Sequence, residues 1–522
     1  MSIVIVGHGM AGARLAAELH ARGDDRKVTV FGAEPHRAYN RIMLSTLLAG
    51  KIDEPDVELT ELAGQGVDVR NGLPVSGIDR AAREVCTADG DRFGYEHLVL
   101  ATGARAVVPP LPGLDPLPDR VVPFRTLDDC RRILAAARHA RDVLVLGGGL
   151  LGLEAARGLA ARGLAVTVVH PHPHLMERQL DPTAGAVLAG TLEALGVRTA
   201  LAVPAVGVTA DADRVRLDLA DGRSLSADLL VLSCGVRPDT ALATAAGLRV
   251  ARGVVVDDRL RSSDPAISAI GDCAQPDGAL TGLVAPAWAQ ARVVADLLTG
   301  ADPAARYRPR PVVTRLKAAG IDLAAMGDVT GPTLTGGTGV TSTTPGGPGG
   351  ATTPGGTGDA TTPGGDGGAT TPGGTVKDDH DGVEELTFTD PARGTYARLR
   401  IRGDRLTGAI LLGENPAVGT VVQLFDRGAP VPADRRSLLL GRAYGGGAAT
   451  PATSPALMPD ATTVCQCNDV SKGALVACWR SGARTGDELS ATTRAGTGCG
   501  GCRDALAGIV DWLAQSDPAP IR

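Results

Sequence analysis

The sequence reads as an α/β protein: two Rossmann-like domains, a β-rich α+β domain with a disordered insertion, and a small Cys-rich C-terminal domain. Three observations predict this. Short Val/Ile/Leu runs alternate with Ala/Leu-rich helical stretches from residue 1 to about 300. A Gly-x-Gly-x-x-Gly pattern occurs twice, at Gly7 and again at Gly147, each time between a strand and a helix. Two close Cys pairs stand near the C-terminus, beyond a linker rich in Gly, Ala, Pro and Thr. The expected boundaries are 1–118 with 249–302 for the first Rossmann-like domain and 119–248 for the second. The α+β domain is expected over 303–444, the linker over 445–459 and the Cys-rich domain over 460–522.

Composition narrows the function classes. At 522 residues the chain is too long for one domain, since domains of about 150 residues are usual. Hydrophobic residues make up 43% and charged residues 21%, enough to bury cores in water. Aromatics supply only 2%, so those cores are expected to be built from Ala, Val and Leu. Lys plus Arg number 52 against 58 Asp plus Glu, a net charge of −6. No basic excess is left to neutralise phosphates or hold an anionic membrane, so neither nucleic acid nor membrane is expected as a partner. No apolar run of roughly 18 residues occurs, and no basic stretch precedes the apolar start Ile3–Val6. The expected location is cytoplasmic. There, Cys pairs point to metal ligation rather than disulfides.

The elements follow in order. Strands are expected at Ser2–Val6, Lys27–Phe31, His97–Ala101, Asp142–Leu146, Ala165–His170 and Leu229–Ser233. Helices are expected at Gly12–Arg22, Leu127–His139 and Gly152–Arg162, and strands so separated form parallel sheets. Thr314–Met326 and Val383–Leu412 read as strands of one β-rich domain. Between them, Leu334–Thr375 repeats Ala-Thr-Thr-Pro-Gly-Gly from Ala351, Ala360 and Ala369. Such a composition cannot offset its ordering entropy, so the tract is expected to be a disordered insertion. Loop-closure entropy rises only about 0.6 kcal/mol per doubling of length, so the domain can carry it.

The motifs carry the chemistry. In Gly7-x-Gly9-x-x-Gly12 the backbone must turn tightly and approach a pyrophosphate seated on a helix N-terminus. Glu34 follows the next strand, where a ribose hydroxyl would be held. The competing reading is an ordinary strand–helix turn. The recurrence as Gly147-x-Gly149-x-x-Gly152 argues against coincidence. There the next strand ends in His170, with His172, His174 and Arg178 nearby, so NAD and NADP both remain open.

Two further segments, Leu98-Val-Leu-Ala-Thr102-Gly103 and Ala269-Ile-Gly271-Asp272-Cys273, complete a set that resembles the two-dinucleotide flavoprotein reductases. The resemblance implies FAD in the first Rossmann-like domain and NAD(P)H in the second, with Asp272 at the flavin's pyrophosphate or ribityl chain. Tyr39-Asn-Arg41-Ile-Met-Leu-Ser45 and Leu283-Val-Ala-Pro-Ala-Trp288-Ala-Gln290 are similar to two groups. These are the flavin half of bacterial assimilatory nitrite reductase large subunits and the electron-transfer subunits of assimilatory nitrate reductases. Arg41 would then contact FAD and Glu154 would lie near the nicotinamide, as a catalytic contact. Plain alternatives are a surface salt bridge for Arg41 and a solvated helix-face carboxylate for Glu154.

Redox thiols are absent where disulfide reductases carry them, because no Cys occurs between Ala11 and Val85. Cys86, Cys130, Cys234 and Cys478 read as small buried hydrophobes. The tail offers another electron exit: Cys465-x-Cys467 and Cys499-x-x-Cys502 make two thiolate pairs. A tetrahedral zinc would also suit four thiolates. The surroundings, Cys465-Gln-Cys467-Asn-Asp-Val and Gly496-Thr-Gly-Cys499-Gly-Gly-Cys502, resemble the bacterioferritin-associated-ferredoxin-like domain, which implies a [2Fe–2S] cluster. Only a short segment follows Cys502, so a sirohaem half is not expected. The resemblance implies a reductase module serving a separate nitrate or nitrite reductase catalytic subunit. A general NAD(P)H-dependent ferredoxin or rubredoxin reductase, or an Fe–S redox sensor, would share these motifs.

Overall fold

The computed structural model describes residues 2–59, 66–329 apart from 317 and 319, 340–341, 373–378, 382–440 apart from 416, and 455–516 apart from 466, 467, 469 and 497–501. Two parallel sheets organise the first 300 residues. In the first, β1 (Ser2–Val6) lies between β2 (Lys27–Gly32) and β4 (His97–Leu100). β3 (Val67–Asn71) and Ile267–Ala269 close its edges. Register is direct: Val4 faces Thr29 on one side and Leu98 on the other. The strands are buried on both faces, as their unbroken apolar runs require. Helix α1 (Met10–Ala21) crosses back over this sheet and packs on the long helix Val284–Thr299.

The second sheet repeats the plan. Its order is β8 (Val197–Ala200), β7 (Ala165–Val169), β6 (Asp142–Leu146), β9 (Leu229–Leu232) and β5 (Val121–Pro123). Helix α3 (Leu127–Ala137) opens with a capping box: Asp129 N–H donates to Thr126 Oγ1, and Thr126 N–H donates to the Asp129 carboxylate. The chain crosses between the two units through a two-stranded antiparallel ribbon, Ala104–Ala106 with Val236–Pro238. The expected strands and helices therefore stand within two residues of their observed ends.

Short helix α2 (Leu44–Leu48) belongs to the first unit in sequence, yet packs against helix α4 (Leu150–Ala161) of the second. Gly158 makes this possible, since a Cβ there would come 3.2 Å from Ala49 N. Arg162 Nε then donates to Leu48 O at 2.6 Å and satisfies a carbonyl at the end of α2. Tyr39, Leu44 and Leu48 thus share one core with Val143, Leu153 and Val166.

The third domain is a seven-stranded antiparallel sheet that contains both segments expected to be strands. Its order is Val313–Leu316, Leu323–Gly327, Arg405–Leu412, Thr395–Arg402, Val383–Asp390, Gly373–Asp378, Val340–Thr341. Val340–Thr341 falls inside the tract expected to be disordered, and Gly373–Asp378 begins in its last three residues. Pairing with Val383–Asp390 extends the sheet into that tract from both ends, and residues 342–372 lie outside the described residues. A buried polar cluster ties this domain to the second: Tyr396 Oη donates to Asp181 Oδ2 at 2.6 Å. Arg398 Nη2 donates to Glu385 Oε2 at 2.9 Å beside them. Asp181 also caps helix α5 (Pro182–Ala194) by accepting from Ala184 N–H.

The C-terminal domain is built from a small antiparallel ribbon and three helices, Lys472–Arg480, Gly486–Thr493 and Arg503–Ser516. Its core holds Cys465 and Cys502 with Leu475, Trp479, Leu489 and Ile509. Most of the expected linker lies outside the described residues.

Candidate dinucleotide cleft and thiolate domain

Both Gly-rich loops take the conformation their sequence demands. Gly7 has φ +114° and Gly147 φ +123°, a region L side chains rarely adopt. A Cβ at Gly12 would come 1.9 Å from Gly7 O, and one at Gly152 would come 2.0 Å from Gly147 O. At the middle glycines the situation reverses: a Cβ on Gly9 or Gly149 meets nothing within 4 Å. Space is open on the side where a diphosphate would approach. Helices α1 and α4 start at these glycines with no side-chain cap and no acidic residue in the first turn. The helices at Leu127, Pro182 and Gly486 are all capped by side chains. The positive dipole ends of α1 and α4, each behind a middle glycine with open space before it, suit two dinucleotides.

A cleft of about 1680 Å³ runs from the first loop between the domains. It gathers Gly7, Gly9, Glu34, Arg41, Thr102, Gly103, Glu154, Gly271 and Asp272, which are far apart in sequence. Arg41 forms an ion pair with Glu34, and Tyr39 Oη donates to the other Glu34 oxygen at 2.7 Å. The Arg41 guanidinium also lies 4.8 Å from the Tyr39 ring centroid and donates to Arg125 O at 3.2 Å. Thr102 Oγ1 donates to Asp239 O at 2.6 Å, which binds the first unit to the return ribbon. Gly271, at φ +76°, donates its N–H to Gln290 Oε1 at 2.7 Å and so sets the turn that carries Asp272. Trp288 is buried and donates from Nε1 to Met10 O at 3.1 Å, which anchors the long helix to α1.

The second Gly loop stands outside this cleft, which α4 reaches through Leu150, Leu151 and Glu154. Glu154 is 6% exposed, so it is no solvated helix-face carboxylate. His170 is the residue at which a nucleotide contact is expected. It sits at the expected strand end, but only 5% exposed, and Gly148 N–H donates to its Nδ1 at 3.1 Å. Nε2 then carries the proton and donates to Glu177 Oε2 at 3.1 Å. Burial holds the imidazole below its ordinary pKa, which keeps Nδ1 an acceptor. His170 braces the Gly loop through Gly148.

Nothing local in the sequence marks Arg125, whose Nη2 donates to Asp272 Oδ2 at 2.7 Å. Among the described residues no cysteine lines the cleft. Burial pushes Cys130 up to about 12 and Cys234 up to about 11, and raises Cys273 as well. Each stays a protonated, packed thiol, as expected for Cys130 and Cys234.

Of the four tail thiols, Cys465 is 0% and Cys502 5% exposed, in one core. Cys467 and Cys499 lie outside the described residues. Among the described residues no three His, Cys, Asp or Glu side chains are placed to hold a metal ion. Two buried thiols from separate segments of one small domain suit a sulfur-ligated cluster. No helix among the described residues is long and apolar enough to cross a membrane.

Comparison with known proteins agrees with this geometry. Residues 1–292 match the pyridine nucleotide-disulphide oxidoreductase family, and residues 463–512 match the BFD-like [2Fe–2S] binding domain. A Bacillus subtilis nitrite reductase [NAD(P)H] is 33% identical over 99% of this chain and 58% of its own length. The assimilatory nitrate reductase electron transfer subunit of the same organism is 30% identical over 99% of this chain and 60% of its own. The chain thus spans about three-fifths of these relatives. A ferredoxin reductase structure from Rhodopseudomonas palustris superposes with a TM-score of 0.64 at 27% identity, over 79% of this chain and 91% of that one. The chain therefore belongs to the pyridine nucleotide-disulphide oxidoreductase family, as an NAD(P)H-dependent FAD oxidoreductase that carries a BFD-like [2Fe–2S] domain.

Proposed function

We propose that this protein is the cytoplasmic electron-transfer module of nitrogen assimilation, passing electrons from NAD(P)H through FAD and a [2Fe–2S] cluster to a separate nitrate or nitrite reductase subunit. One observation carries the reading: the cluster domain is seated on the same loop, Asn40–Met43, whose Arg41 lines the dinucleotide cleft. The names of the full-length matches support the acceptor class.

When bound, the nicotinamide and FAD exchange a hydride and the cluster carries single electrons. The chain's residues set place and orientation. Gly7, Gly9 and Gly12 admit the FAD diphosphate to the α1 N-terminus, and Glu34 accepts from a ribose hydroxyl. Arg41, Thr102, Gly103, Gly271 and Asp272 surround the remainder of FAD. Gly147, Gly149 and Gly152, braced by His170, would receive the nicotinamide dinucleotide, and Glu154 would lie near its ring as the catalytic contact. Cys465, Cys467, Cys499 and Cys502 hold the cluster.

Anaerobic titration with NADH and then NADPH tests this directly. Flavin absorbance should bleach first and cluster absorbance second, in protein containing acid-labile sulfide. Zinc in place of iron and sulfide would end the relay reading. A general ferredoxin or rubredoxin reductase is the second reading, favoured by the superposition on a ferredoxin reductase. Turnover with small ferredoxins but none with a nitrate or nitrite reductase subunit would select it. Failure to oxidise NAD(P)H with any acceptor would instead leave a redox sensor.

A further inference from the structure

Asn40 is a polar side chain with 0% exposure at the seam between the flavin-binding unit and the C-terminal domain. Its backbone N–H donates to Val57 O at 2.7 Å, and its Oδ1 accepts from Ile42 N–H at 3.1 Å, capping the turn that bears Arg41. Its Nδ2 crosses the seam and donates to Asn468 Oδ1 at 3.1 Å. Asn468 follows Cys467 directly in sequence. Its own Nδ2 donates to Arg494 O at 2.6 Å, on the approach to the second Cys pair. One side chain thereby ties the two cysteine-bearing segments together and to the flavin side. Arg494 adds a second clasp, donating to Glu58 O and reaching Met43 Sδ at 3.9 Å. Ile42, between Asn40 and Met43, packs on the core of the C-terminal domain.

We infer that Asn40 and Asn468, with Arg494, are the positioning residues that seat the cluster domain for electron transfer from the flavin. The inference rests on the relay proposed above. A buried amide–amide bond fixes distance and rotation at one point, and Arg494 fixes a second, so the domain cannot swivel. A greasy seam alone would hold the domain without setting its orientation. The step has a simple balance. Each hydride leaves two electrons and one hydrogen nucleus on the flavin. One electron passes to the oxidised cluster, then a second after the cluster has been reoxidised by the acceptor, and one proton returns to water. No bond to protein forms or breaks, so geometry is the chain's whole contribution.

Two variants separate the seating from everything else. Asn40→Ser keeps an oxygen for the Ile42 N–H but is too short to reach Asn468. Arg494→Asn keeps a residue tolerant of the left-handed conformation, φ 64°, and deletes both guanidinium contacts. Neither residue lines the cleft. Stopped-flow mixing with NADH under anaerobic conditions reads flavin and cluster bleaching separately. Hydrogen exchange of residues 40–48 reads the seating without activity.

In the double variant the flavin phase should keep its parental rate, the cluster phase should slow about tenfold or more, and exchange at 40–48 should rise. Iron and sulfide content should match the parent, because no thiol is touched. A parental cluster phase with raised exchange would overturn the inference, as would unchanged exchange. Should the double variant lose its cluster, each single variant is read by the same two measurements and the same criteria. If the parent's own cluster never bleaches, the relay reading fails and the seating contact is not at fault.

Discussion

Arg125 donates from Nη2 to Asp272 Oδ2 at 2.7 Å, pairing the start of the second Rossmann-like unit with an acid of the first. The same arginine offers its backbone carbonyl to Arg41. A single residue thus links the domain crossing to two groups of the dinucleotide cleft. Both side chains are about one-fifth exposed, so the pair is screened and its loss costs less than a fully buried one. Arg125→Ala should weaken FAD retention by about tenfold, or roughly 1.4 kcal/mol, with the fold intact. Flavin release on dilution measures it; unchanged retention would remove Asp272's orientation from the account.

Gly149→Val addresses the second loop. A Cβ there meets nothing within 4 Å and the backbone stands at φ −84°, so the folded chain accommodates the side chain. The branched group occupies the space a diphosphate needs. NAD(P)H-driven flavin bleaching should fall at least about tenfold while FAD content stays parental. Loss of FAD with retained nicotinamide binding would mean that the two loops have been assigned in reverse.

His97 sets a pH dependence. It opens β4 within the first sheet, partly buried, with Nε2 3.0 Å from Ser268 Oγ, and desolvation pushes its pKa down to about 4. The unfolded imidazole titrates near its ordinary value of about 6.5, so the fold favours the neutral form. That stability is fully present above about pH 6.5 and is lost as pH falls toward 4. Between pH 7 and pH 5 the loss should be about 2 kcal/mol. Urea unfolding at the two pH values measures it, and His97→Gln should shrink the difference.

Much of this was legible from sequence because backbone sterics leave few choices. Gly7 and Gly147 announce left-handed turns, and Asp142–Leu146 reads as a doubly buried strand to the residue. Contacts between distant segments carry no local signal. Nothing near Asn40 names Asn468, and nothing near Arg125 names Asp272. His170 shows the intermediate case: its place at a strand end is readable, but its ring orientation is decided by Gly148 and Glu177. The sheet's reach into the repetitive tract likewise depends on a partner strand, Val383–Asp390, and not on the tract's own weak β propensity.

That partner also narrows which part of the tract is dispensable. Val340 and Thr341 pair with Gly374 and Gly373, so the cut belongs inside them. Residues 342–372 contain no Val, Leu, Ile, Met or aromatic residue. Replacing them with Asn-Gly, a turn suited to a two-residue hairpin, should leave FAD content and flavin bleaching rates unchanged within about twofold. A larger fall would assign the tract a part in the reductase itself.

Removing the C-terminal domain tests the electron route as a whole. Every residue lining the cleft precedes Gly445, so a chain ending there should still oxidise NAD(P)H with a small artificial acceptor. It should fail to supply a nitrate or nitrite reductase subunit. The cut is not free of consequence, because it uncovers Ile42 and takes Asn468 from Asn40. A loss of about 1 kcal/mol in stability is expected from each hydrogen bond removed, Asn40 to Asn468 and Arg494 to Glu58, visible as a drop in melting temperature. Cys499→Ser in the full chain separates the two effects: it should lose the cluster, with residues 40–48 still covered in hydrogen exchange. The artificial acceptor should then turn over at the parental rate and the physiological one should not. If both altered proteins still drove nitrate or nitrite reduction at the parental rate, electrons would be leaving directly from the flavin, and the cluster domain would be a cover rather than a conductor.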